Sequence, residues 1–84
     1  MISQIRGKLI EVEDDKVVVD VGGVGYEIEV ASSVLDTLPV DKDQEISLVC
    51  HFVVRDDAQL LHGFSSKEER SLFRAYIRIN GVGP

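Results

Sequence analysis

Asp56 and Asp57 are neighbouring carboxylates at the centre of His51-Phe-Val-Val-Arg-Asp-Asp-Ala-Gln-Leu-Leu-His-Gly-Phe64, a segment that reads as a hairpin between two apolar strands. Such a pair can exchange protons, hold a cation or repel an anion. Acid–base work needs a cleft and two unlike environments, which a hairpin tip does not supply. A calcium loop needs ligands at alternate positions, and these two are adjacent. Two readings remain: a solvated turn, where Asp is favoured for its local hydrogen bonds, and an element that excludes phosphate by charge. The chain ends with a segment of opposite tendency, Asn80-Gly-Val-Gly-Pro84. There Gly81, Val82 and Gly83 can present backbone N–H groups to a phosphate, and a following helix would add its N-terminal dipole. A plain helix C-cap accounts for Gly81 equally well.

The other chemistry-bearing side chains carry less. His51 and His62 can face each other across the hairpin, but two imidazoles with no third ligand make a poor metal site, and packed surface histidines are the simpler reading. Cys50 is the one cysteine and falls inside an apolar strand pattern. It reads as a buried, inert thiol in a reducing compartment. There is no Ser-His-Asp order, no Gly-Lys-Ser/Thr phosphate loop and no Cys-x-x-Cys pair. The sequence therefore points away from an enzyme, and it calls for no cofactor and no metal.

These residues sit on a chain of 84 residues, enough for one small core. No apolar run approaches the ~18 residues that span a bilayer, and the start lacks a basic region followed by an apolar core. A cytoplasmic location is expected. The net charge of −6 conceals an asymmetry: residues 1–64 carry five basic side chains against thirteen acidic, −8, and residues 65–84 carry four against two, +2. Nucleic-acid affinity comes largely from neutralised phosphates, so residues 1–64 alone make a poor DNA binder. Any such attraction must come from the tail or from sequence beyond it.

Hydropathy patterning predicts how the tip is carried. A strand runs from Gln4 to about Glu13 with a bulge or bend at Gly7, and a second from Lys16 to Val21 ends at the Gly22-Gly23 turn. In the third, Tyr26, Ile28 and Val30 alternate with Glu27 and Glu29. Ser32 and Ser33 can cap a short helix that ends at Pro39. The strand from Ile46 to Val54 is apolar on both faces near its end, which calls for two covers. A hairpin symmetric about Asp56-Asp57 pairs Phe52 with Leu61, Val53 with Leu60 and His51 with His62. From Ser65 the pattern turns helical: Ser66-Lys-Glu-Glu69 is a capping box. Leu72, Phe73, Tyr76 and Ile77 form an apolar stripe, with Arg70, Arg74 and Arg78 on another side. These elements predict a mainly β protein, a small OB-type barrel of five to six strands followed by one α-helix.

Three blocks in order, Gly22-Gly-Val-Gly-Tyr26, His51 to Leu61 followed by Gly63-Phe64, and Asn80-Gly-Val-Gly-Pro84, make the chain resemble the bacterial RuvA family over its whole length. The family binds Holliday junctions in the branch-migration complex of recombination and repair. The resemblance implies an OB-fold barrel over residues 1–64 that serves oligomerisation, and over 65–84 the start of a truncated helix-hairpin-helix domain. It implies a homotetramer around four-way junction DNA, with Asp56 and Asp57 as an acidic pin at the crossover. The family often has Glu-Asp where this chain has Asp-Asp. Gly81, Val82 and Gly83 become the first DNA-backbone-binding hairpin. The lysine that usually follows Pro84, the second hairpin and the C-terminal domain that contacts the hexameric ATPase RuvB are not in this sequence. The reading of a different class is an OB-type assembly scaffold with no DNA binding of its own in this segment. Single-strand binding on the barrel ranks last, because Tyr26, Phe52 and Phe64 lie in an acidic setting.

Overall fold

The computed structural model describes residues 1–39, 41 and 43–80. Five strands, β1 (Gln4–Glu13), β2 (Lys16–Val21), β3 (Val24–Val30), β4 (Glu45–Val54) and β5 (Gln59–Phe64), close in the order β1-β2-β3-β5-β4. A short helix α1 (Ser32–Leu35) lies between β3 and β4, and α2 (Lys67–Asn80) follows the barrel. All neighbours are antiparallel except β3 and β5, whose parallel seam is two residue pairs long, Glu29 with His62 and Val30 with Gly63. Closure removes the unpaired edges that an open five-stranded sheet would expose.

β1 serves twice. Gln4 to Lys8 pair with β4, and Lys8 to Glu13 pair with β2. The expected irregularity at Gly7 is displaced: the register shift falls between Leu9 and Glu11, so Ile10 is the extra residue. Gly7 has a different role, since a Cβ there would overlap the Asp20 carbonyl oxygen and crowd Val21. The strand bends so closely over β2 that only a residue without a side chain fits.

The β2–β3 connection follows from its two glycines. Gly22 and Gly23 take φ +59° and +95°, the positive values of a two-residue hairpin turn, and the Gly23 N–H donates to Asp20 Oδ1 at 2.9 Å. The core that the strands enclose is wholly apolar, built from alternate residues such as Val17, Val19, Ile28, Val30, Leu48 and Cys50. Val34 of α1 joins it at 1% exposure. Ser32 and Ser33 do not cap that helix as expected; Ala31 is the N-cap, and its carbonyl accepts from Val34 and Leu35. Both serines lie within the helix, one and two residues too late to cap it.

The capping box of α2 forms with an offset. Ser66 Oγ accepts from the Glu69 N–H at 3.2 Å, while Glu69 Oε1 accepts from the N–H of Ser65, one residue before the cap. The docked face of α2 departs from the expected stripe. Arg70, Phe73, Arg74 and Ile77 are half-buried, whereas Leu72, Tyr76 and Ile79 are exposed. The reason is that the barrel offers acceptors where the helix lands: Arg70 Nη1 donates to the carbonyls of Ser3 at 2.9 Å and Cys50 at 3.3 Å. Arg74 Nε donates to His51 Nδ1 at 3.0 Å.

Candidate functional site: the acidic hairpin tip

β4 and β5 form an arm paired from Val49 with Phe64 out to Val54 with Gln59. The register of Phe52, Val53 and His51 opposite Leu61, Leu60 and His62 is that expected from a turn centred on Asp56-Asp57. One further bond, Arg55 N–H to the Ala58 carbonyl at 2.7 Å, closes the loop. The two aspartates thus stand at the apex of a four-residue connection, Arg55 to Ala58, on a ladder that fixes their direction.

Both carboxylates are exposed. Among the described residues neither accepts a hydrogen bond nor joins an ion pair; the ion pair present is Lys16 with Glu27 at 3.9 Å, elsewhere on the barrel. Val54, just below the tip, is 64% exposed. There is no cleft around the aspartates and no third ligand beside them: no group of three or more His, Cys, Asp or Glu gathers in metal-holding positions among the described residues. An arrangement of this kind presents fixed, hydrated negative charge and nothing more reactive.

His51 and His62 face one another on the outer surface of the arm, ring centroids 6.5 Å apart, and are bridged by Phe73 of α2 at 5.6 and 5.2 Å. Phe64 lies 5.1 Å from the same ring. The helix is therefore one of the two covers that the doubly apolar strand required. Burial lowers the His51 pKa, with Arg74, His62 and Arg70 adding to the effect in that order.

Cys50 is fully buried beneath this surface, and burial pushes its thiol up to about 11, against smaller lowering effects from Arg70 and a backbone hydrogen bond at Ile5. The thiolate is the reactive form. Native protein at pH 8 should react with iodoacetamide at least ~100-fold more slowly than urea-unfolded protein, followed by mass spectrometry. Comparable rates would show that the barrel opens at β4.

Gly81, Val82 and Gly83 lie outside the described residues. Sequence reasoning missed the docking role of Arg70 and Arg74. Their signal was available: positions 70, 73, 74 and 77 fall on one helical face as well as 72, 73, 76 and 77 do. The consequence is electrostatic, since two of the four cations in the tail are spent on the barrel, while Lys67 and Arg78 remain exposed.

With this geometry in place, comparison with known proteins is decisive. Residues 1–63 match the family described as the RuvA N terminal domain. The chain belongs to that family. Similar proteins named Holliday junction branch migration complex subunit RuvA come from Shewanella halifaxensis, 57% identical, Shewanella denitrificans, 51%, and Aeromonas salmonicida, 49%. Each alignment covers all 84 residues of this chain and 40 to 41% of the relative. The chain thus spans about two fifths of the length of those RuvA proteins, and the region shared with them contains both the tip and the docked helix. No helix among the described residues is long and apolar enough to cross a membrane.

Proposed function

We propose that this chain is the N-terminal part of a junction-binding subunit that holds four-way DNA open as a homotetramer, with its acidic tips at the crossover. The observation that carries the reading is the unpaired Asp56-Asp57 apex, raised on a hydrogen-bonded arm of a barrel whose residues 1–64 have a net charge of −8. Residues 1–64 form the assembling barrel, and 65–84 open the helix-hairpin-helix domain. Gly81, Val82 and Gly83 hold DNA backbone through main-chain N–H groups. The subunit is not itself catalytic. It works in the cytoplasm, beside the hexameric ATPase RuvB, which a C-terminal domain contacts.

The selectivity follows from repulsion. Unit charges 4 Å apart interact by about 1 kcal/mol in bulk water and about 4 kcal/mol at an effective dielectric of 20. Four copies bring two carboxylates each toward one axis, so a phosphodiester strand passing through that point meets several such terms. A continuous duplex would have to cross it. An open junction need not, because its arms leave around the centre.

The assembly-scaffold reading is favoured by one observation, that Arg70 and Arg74 are already engaged by the barrel, leaving this segment few cations for phosphate. Light scattering over a concentration series, paired with a four-way-junction gel shift, separates the two. For a full-length family member that begins with this sequence, a tetramer that prefers junction to linear duplex supports the proposal. A tetramer with no preference would leave the scaffold role alone standing.

A further inference from the structure

The polar part of the contact between α2 and the barrel is built of arginines and imidazoles. From α2, Arg70, Phe73 and Arg74 face the arm; from β4 and β5 come His51 and His62. Arg74 Nε–H donates to His51 Nδ1, which can accept only while that nitrogen keeps its lone pair. His62 Nε2 and Arg70 Nε are buried with no hydrogen-bond partner. Among the described residues no carboxylate forms an ion pair with the group. Glu69 of α2 is turned to the Ser65 N–H, and Glu29 of β3, opposite His62 in register, makes no ion pair with it. Lys67, Glu68 and Arg78 are exposed on α2.

We propose that the Arg74–His51 hydrogen bond is a proton-sensitive clasp: His51 positions α2 on the barrel when neutral and releases it when protonated. Protonation removes the acceptor and places a third cation beside two guanidiniums with which, among the described residues, no carboxylate forms an ion pair. Apart from that bond the helix is held by the Arg70 donations to the Ser3 and Cys50 carbonyls and by Phe73 against His51, His62 and Phe64, and a charged His51 would stand beside both, while the barrel keeps its own closed core.

The direction is fixed by linkage. The docked state holds the His51 pKa below its ordinary value, through burial first and then Arg74, His62 and Arg70. The undocked state therefore binds more protons in the window between the lowered value and about 6.5. Docking is complete above that window and is lost as pH falls through it, by at most tenfold per pH unit for one proton. The clasp stands without the junction reading. If that reading holds, the proton would also govern how firmly the helix that opens the second domain is held to the barrel.

The test is an NMR titration of the 84-residue chain from pH 7.5 to 5.0, following the His51 C2–H, the Arg74 Nε–H and the ring contacts of Phe73 with His62. The expected result is that the Arg74 signal moves to its free-arginine position and the Phe73 contacts vanish with the His51 midpoint, while the Val17 and Ile28 amides stay unchanged. His51→Gln, which keeps an acceptor but cannot charge, should hold α2 throughout the range, and His62→Gln should keep the wild-type response. Persistence of the helix contacts with His51 charged would overturn the proposal. So would simultaneous loss of the Val17 and Ile28 signals, or a response abolished by His62→Gln but kept by His51→Gln.

Discussion

Asp56→Asn with Asp57→Asn, made together in a full-length family member that begins with this sequence, is expected to raise linear-duplex affinity about tenfold relative to junction affinity. Tenfold is about 1.4 kcal/mol, the size of two or three carboxylate–phosphate terms at 8–10 Å between the water and protein-surface dielectric limits. Asparagine keeps the size and turn preference of aspartate, and both side chains are exposed, so the barrel should fold unchanged. Competition gel shifts at two salt concentrations give the ratio. Because the repulsion is screened, the difference between wild type and variant should narrow as salt rises. A ratio unaltered by the double substitution would remove the pin from the mechanism.

The second large effect lies at Gly7. A Cβ at this position would overlap a backbone oxygen, that of Asp20, and the strand cannot move away because it is paired on both sides, with β4 before Lys8 and with β2 after it. Gly7→Ala should cost about 2–3 kcal/mol, a large fraction of the stability of so small a domain, and lower the melting temperature by ~10 °C or more. Gly22→Asn provides the contrast. That position is open, and its positive φ is one asparagine tolerates, so the loss should stay below ~1 kcal/mol. Thermal unfolding followed by circular dichroism distinguishes them; equal melting temperatures would mean that β1 does not bend tightly over β2.

Much of this architecture was legible because its signals are local. Alternation in β3, the valine run of β2 and the Gly22-Gly23 turn each determine their own geometry. The symmetry of the Asp56-Asp57 tip set the β4–β5 register down to His51 opposite His62. What sequence reasoning misplaced depends on contacts between distant residues. The bulge fell at Ile10 rather than Gly7, because Gly7 answers to Asp20, thirteen residues away, and not to its own strand. The helix face was misread because hydropathy treats arginine as outward-facing, whereas the carbonyls of Ser3 and Cys50 and a lone pair on His51 draw Arg70 and Arg74 inward. Leu72, Tyr76 and Ile79 were left exposed in exchange. The tip itself was visible as charge, but its freedom from any partner required the fold.

The central claim is positional: the acidic tips sit at the crossover of the junction. Ala58→Cys puts a thiol beside the tip while keeping both carboxylates, and Cys50 is buried and held protonated, so within these 84 residues an iron–chelate cleavage reagent would label position 58 selectively. In a full-length protein bound to a four-way junction of fixed sequence, hydroxyl-radical cleavage is expected within about two nucleotides of the branch point on all four strands. Cleavage distributed along the arms, or absent at the branch point, would contradict the account.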